Sequence, residues 1–158
     1  MANKDNEKQK VGWKEWVALP ELGISSIKAK VDTGARTSAL HTYKIETFYQ
    51  DEKEFIRFWI HPFQRDQEKS VCCVAEVLDK RVVKDSGGHA EERYVIETKL
   101  LIGKLLFPIE LTLTNREDML FRMLLGRTAL GSCNMIVDPA SSYLTGKKHK
   151  KKYKANIN

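Results

Sequence analysis

Ile24-Ser25-Ser26-Ile27-Lys28-Ala29-Lys30-Val31-Asp32-Thr33-Gly34-Ala35 is the stretch on which the fold turns. Ile27, Ala29 and Val31 alternate with Lys28 and Lys30, the period of a strand with one buried face. Upstream, Trp13 and Trp16 to Leu19 form an earlier strand that Pro20 ends, and Glu21-Leu22-Gly23 supplies a turn. The two strands make a hairpin that delivers the chain to Asp32. There a carboxylate, a hydroxyl and two small residues follow in order. Two carboxylates brought together at such loop tips cannot both ionise, so they share one proton. One then acts as base on a water while its protonated partner polarises a carbonyl. Thr33 can bond across to the facing loop, and Gly34 lets the loops approach without a Cβ between them. The plain alternative is an ordinary turn, since Asp, Thr and Gly all favour turns.

Late in the chain comes Met123-Leu124-Leu125-Gly126-Arg127, followed by Thr128-Ala129-Leu130. With Asp32-Thr33-Gly34-Ala35 early and this element late, the sequence resembles the retropepsin family, which includes the retroviral proteases. In that family the apolar pair threads beneath the catalytic loop and the arginine braces it. Between the two elements, Val82-Val83-Lys84-Asp85-Ser86-Gly87-Gly88-His89 runs into a glycine-rich tip from which Arg93 to Ile96 return. Retropepsins place a substrate-covering flap in this interval; an ordinary exposed hairpin is the other reading. The resemblance makes Asp32, Thr33 and Gly34 catalytic. It assigns substrate contact to Ala35, Arg36, Ser86, Gly87 and Gly88, and support of the site to Leu124, Leu125, Gly126 and Arg127.

Val31 to Leu40, Leu113-Thr114-Asn115-Arg116, Met123 to Arg127 and Val137-Asp138-Pro139 are similar to a bacterial retropepsin-like family known by the name "ATP-dependent zinc proteases". The similarity covers about residues 11 to 145. Members include a protease associated with the RimK glutamate ligase, which acts on glutamate tails added to a ribosomal protein. Retroviral proteases carry acids after Asp-Thr-Gly-Ala, whereas this chain has Arg36-Thr37-Ser38. The usual carboxylate partner of Arg127 is thereby missing, and Asp138 is the candidate replacement. The zinc and nucleotide parts of the family name find no motif. His41, His61, His89 and His149 lack ligand spacing, and Gly146-Lys147-Lys148 lacks the upstream glycine of a phosphate loop. No metal or other cofactor is expected.

The chain of 158 residues is long enough for one domain with a real core. Its first ten residues are too polar for a signal peptide, and Lys104 and Glu110 interrupt the longest apolar stretch, so the expected compartment is the cytoplasm, away from membranes. Cys72, Cys73 and Cys133 are expected as buried or half-buried reduced thiols. Six lysines between Lys147 and Lys154 account for the whole net charge of +6 and leave a formally neutral body. Such a run is either a solvated tail or an attractor of an acidic partner such as nucleic acid.

Further strands are expected at Leu40–Tyr49, Phe55–Ile60, Val71–Val83, Arg93–Ile102 and Leu105–Leu113. A short helix at Thr128–Gly131 and a closing strand at Asn134–Val137 complete the set. The expected architecture is mostly β, a retropepsin-like acid-protease barrel with one short helix near the C-terminus. A flexible tail (1–10) and a lysine-rich tail (146–158) would flank a protease domain (11–145). The expected function is an aspartic endopeptidase acting as a homodimer with one Asp32 per subunit, on acidic or glutamate-tailed polypeptide. The alternatives are an inactive binding domain of the same fold that engages ribosome, RNA or an acidic partner through the basic tail, and a metallopeptidase, suggested only by the family name.

Overall fold

A computed structural model describes residues 8–63, 69–84, 87–116 and 118–147. The Asp32 hairpin consists of β2 (Lys14–Leu19) and β3 (Ile24–Asp32), antiparallel with Val17 opposite Ile27. A 3-10 turn at Pro20–Leu22 joins them, and Gly23 closes it with φ 76°, a backbone region that glycine adopts without steric cost. Ile27, Ala29 and Val31 point into the core, as the alternation requires.

Beyond the turn at residues 33–37 the chain forms β4 (Ser38–Thr42), and much later β11 (Met123–Gly126) slots between β3 and β4. β11 runs parallel to β3, with Leu125 beside Val31 and Gly126 beside Asp32, and antiparallel to β4, with Met123 beside Leu40. β10 (Leu105–Asn115) flanks β4 in parallel and pairs antiparallel with β9 (Ala90–Ile102), which returns to β2. The order β10-β4-β11-β3-β2-β9, with β9 paired to β10, closes a six-stranded barrel. β8 (Asp79–Lys84) hangs on the free edge of β9.

Two expected strands are each divided. Leu40–Tyr49 becomes β4 and β5 (Lys44–Gln50), and Val71–Val83 becomes β7 (Val71–Glu76) and β8. At both breaks the chain changes sheets. The amide of Tyr43 donates to the Trp59 carbonyl, leaving the barrel for a second sheet made of β5, β6 (Lys53–Ile60) and β7. The amide of Val77 is the last to bond that sheet, through Glu54, and the amide of Leu78 already bonds Val95 of the barrel. Ile56, Phe58 and Ile60 of β6 join the barrel residues Leu40, Ile96, Leu100, Leu111, Met123 and Leu125 in one apolar cluster. Each such side chain contributes about 1.5–3 kcal/mol by leaving water.

A six-residue helix, α1 (Arg127–Ser132), follows β11 directly. β12 (Ile136–Val137) then pairs in parallel with β1 (Lys10–Val11), so regular structure starts at the end of the expected N-terminal tail. The segment after β12 is fastened by Glu15, a carboxylate with no exposed surface. Glu15 accepts hydrogen bonds from the amides of Gly12 (2.6 Å), Leu144 (2.9 Å) and Thr145 (3.0 Å) and from the Thr145 hydroxyl (2.8 Å). Cys72, Cys73 and Cys133 are free thiols, and burial holds that of Cys73 well above its usual range. Among the described residues no helix is long and apolar enough to cross a membrane.

Candidate active site

Asp32 is the last residue of β3, half-buried, and Thr33 and Gly34 stand exposed beyond it. The turn closes on itself: the Gly34 amide donates to Asp32 Oδ1 at 2.9 Å and the Ala35 amide to the Asp32 carbonyl at 3.2 Å. The first bond aims the carboxylate. A Cβ on Gly34 would stand 3.2 Å from Asp32 Oδ1, tight enough to push that oxygen aside.

The loop is held from beneath by the β11–α1 junction. Arg127 donates its amide to Ala35 O (2.8 Å) and its guanidinium Nη1 to the carbonyls of Gly34 (3.2 Å) and Thr33 (3.4 Å). Thr128 donates both its amide and its hydroxyl to the Arg36 carbonyl, at 3.2 and 2.7 Å. Ser38 Oγ accepts from the Gly126 amide at 3.0 Å. Gly126 sits where a Cβ would lie 2.5 Å from Thr37 O, and only glycine allows that approach. Leu125 is buried beside Val31, whereas Leu124 is half-buried and faces the other way with Ala39. The structure thus brings Asp32, Thr33, Gly34, Ala35, Arg36, Gly126 and Arg127 into one bonded unit.

Asp138 does not replace the missing partner of Arg127. Its carboxylate accepts from the Ala140 amide (3.0 Å) and the Ser141 hydroxyl (2.8 Å) and caps the turn after β12. Main-chain carbonyls take the place of a carboxylate beside Arg127, because the loop itself presents Thr33 O and Gly34 O to it.

The glycine-rich segment joins β8 to β9 in an antiparallel hairpin, with Lys84 opposite Ala90 and Arg81 opposite Arg93. Gly88 is exposed in the left-handed region at φ 83°. Ser86 lies outside the described residues, as does the lysine run after Lys147. Arg81 forks onto Glu110 of β10 (Nη1 to Oε2 2.9 Å, Nη2 to Oε1 3.1 Å) and reaches Asp79 at 2.9 Å. Those bonds hold both carboxyls below their usual range, and Arg36 adds to the field on Glu110. The Glu110 carboxylate thus binds the hairpin strand through Arg81 and lies within the field of Arg36.

Sequence inspection gave no sign of a second constellation. His41 of β4 is buried, its Nδ1 bonded to Thr114 Oγ1 of β10 at 2.5 Å. Burial lowers its pKa to about 4, and the positive charges of Arg93, Arg116 and Arg122 push the same way, against a weaker pull from Asp118. His41 is therefore neutral near pH 7 and feels the charge of three arginines from three parts of the chain. Lys28, on the strand before Asp32, lies over the Trp16 ring at 5.2 Å. His61 stacks on Tyr43 at 4.1 Å between ring centroids.

Curated relatives named "Probable alpha-L-glutamate ligase" are similar: 47% identical over 138 residues in Desulfotalea psychrophila and 46% over 136 residues in Parasynechococcus marenigrum. These matches cover 87% and 86% of this chain but only 30% and 29% of the relatives, so the chain spans less than a third of their length. A crystal structure of a Legionella pneumophila protein of unknown function (DUF785) superposes with TM-score 0.73 at 27% identity, covering 88% of this chain and 99% of that one. Residues 10–148 match the family described as "Retropepsin-like aspartic endopeptidase RimB". The chain belongs to the RimB-like family of retropepsin-like aspartic endopeptidases.

Proposed function

We propose that the active unit is a two-fold pair of copies, each supplying Asp32, which hydrolyses peptide bonds in acidic, glutamate-rich polypeptide. The carrying observation is the Asp32-Thr33-Gly34 tip, with Asp32 half-buried and Thr33 and Gly34 exposed, locked from below by Arg127. Such a loop presents one aimed carboxylate, and the chemistry needs two. In the pair, one carboxylate takes a proton from water as the oxygen attacks the peptide carbonyl carbon. The protonated partner gives its proton to the carbonyl oxygen. Collapse of the tetrahedral intermediate breaks the C–N bond, with a proton passing to the leaving nitrogen. Ala35, Arg36 and the glycines of the β8–β9 hairpin are the proposed contacts for the substrate chain.

Charge supports the acidic substrate. Ala39 and His41 point the same way along β4, and Ala39 pairs with Leu124, two residues from Gly126. At roughly 3.4 Å per residue, His41 lies about 10 Å along β4 from the Asp32 loop. Arg93 and Arg116 are ion-paired with Glu91 and Asp118 and Arg122 is buried, so the free charge nearest the loop is that of Arg36. Arg36 follows the loop itself and is exposed, so a carboxylate of an extended substrate meets positive charge beside the dyad. The ligase name of the relatives describes proteins of which this chain matches about 30%, and ligase activity is not transferred. A glutamate polymer is nevertheless the acidic chemistry that such a name shares with the exposed Arg36 beside the loop.

The test compares cleavage of matched poly-glutamate, neutral and basic peptides by the wild type and by Asp32→Asn. Turnover should be fastest on the acidic peptide and fall with added salt. It should drop at least about a hundredfold in Asp32→Asn with the fold unchanged. Cleavage that survives Asp32→Asn but stops on chelation would replace this reading with a metallopeptidase.

A further inference from the structure

We infer that the cleft between the second sheet and the barrel is a docking site for a lysine- or arginine-bearing segment of a separate polypeptide. The cleft has a volume of about 460 Å³ and lies beside the β5–β6 turn and the end of β7, with Glu76 on its lining. That size suits one or two side chains. Its floor is apolar: Leu22 is buried, and Phe48 and Phe55 stack with centroids 5.6 Å apart beside Val74. Its rim is acidic, formed by Glu21, Asp51, Glu76 and Glu97, all exposed, against the single cation Lys53. Among the described residues none of these four carboxylates takes part in an ion pair; Glu21 accepts only the Lys99 amide. Nearby Arg57 lies over Phe48 at 4.7 Å with its charge directed to Glu46 at 3.8 Å, so it does not neutralise the rim.

One further group points to a missing ligand. Thr98 lines the cleft from β9, is 3% exposed, and its hydroxyl has no hydrogen-bond partner. A buried hydroxyl without a partner is costly, and an incoming N–H group would satisfy it. A long aliphatic stem with a cationic head matches both the apolar floor and the acidic rim of the cleft. The methylenes lie on the phenyl floor and the head reaches the carboxylate rim. Nucleic acid and anionic membrane are repelled by the same rim, which leaves a basic polypeptide as the occupant. The site is distinct from the Asp32 loop and does not depend on its activity.

The test uses the full chain and fluorescently labelled hexalysine and hexaglutamate peptides, read by anisotropy at low and moderate salt. Hexalysine should bind and hexaglutamate should not bind in the cleft. Glu76→Gln/Glu97→Gln should weaken hexalysine binding at least about tenfold, while Glu92→Gln, a carboxylate lost elsewhere, should leave it unchanged. Thr98→Val, nearly isosteric, should weaken it about threefold to tenfold. Circular dichroism and melting of each variant report whether the fold survives, and two-dimensional NMR shifts at Phe48 and Phe55 provide a second readout. Hexalysine binding that ignores the Glu76 and Glu97 changes overturns the proposal. So does a large gain in hexalysine affinity when the six lysines from Lys147 to Lys154 are changed to Gln, because the chain's own tail would then be the occupant.

Discussion

A methyl group on Gly126 has nowhere to go. It would meet Thr37 O at 2.5 Å, Thr37 C at 2.6 Å and Ala35 O at 3.0 Å, all main-chain atoms of the loop that carries Asp32. On Gly34 the same methyl would meet only the Asp32 side chain, at 3.2 Å. The two glycines therefore answer to different forces, and their alanine variants should separate. Gly126→Ala forces backbone apart and should cost about 1–3 kcal/mol, seen as a lower urea midpoint. Gly34→Ala should leave the midpoint within about 0.5 kcal/mol of wild type. Its cleavage rate should still fall at least about tenfold, because the carboxylate is turned from its aim. Equal losses of stability in the two variants would show that the Asp32 tip, too, is packed rather than open.

At the scale of elements, the barrel was legible where local pattern and partner agree. The β2–β3 hairpin announces itself through Pro20, Gly23 and the alternation of Ile27, Ala29 and Val31. Met123 to Gly126 reads as an apolar strand ending at a glycine, and the family resemblance supplied its place beneath the loop. The divisions at Tyr43 and Val77-Leu78 were not legible. Neither holds Gly or Pro, and only the change of hydrogen-bond partner ends one sheet and begins another. Glu15 was invisible for a related reason: between Lys14 and Trp16 it looks like an outward polar residue of a strand. Its partners Leu144 and Thr145 lie 129 and 130 residues away in sequence. The arginines about His41 likewise come from β9, the end of β10 and the approach to β11, and no spacing rule connects them. The Glu15 clamp supports a prediction at this scale. Glu15→Ala strands the amides of Gly12, Leu144 and Thr145 and should cost about 3 kcal/mol or more. Hydrogen exchange should show amide protection at Leu144 and Thr145 lost before that of β3 or β11.

The whole molecule carries its charge in opposed territories. Exposed Arg36 follows the Asp32 loop, while carboxylates that take part in no ion pair among the described residues line the cleft beside the second sheet. The body is neutral only on average, and net charge alone conceals both. The larger question at this scale is the second carboxylate. One chain has one Asp-Thr-Gly, and a closed two-fold pair is the commonest way for identical chains to supply another. This can be read without a structure of the pair, by poisoning it. If active units form by random pairing, a tenfold excess of Asp32→Asn leaves only about one wild-type chain in eleven with a wild-type mate. Cleavage per wild-type chain should then fall to about a tenth, provided the mixture is held long enough at a concentration where pairs exchange. Asp32→Asn should be folded, so it competes for mates instead of merely diluting the sample. An excess of Arg127→Ala, whose loop lacks its brace, should poison in the same manner if it still pairs. Specific activity should also rise with total protein concentration until pairing saturates. If activity per wild-type chain is unchanged by the Asp32→Asn excess and flat with concentration, a single copy is sufficient, and the second proton carrier must be sought within one chain.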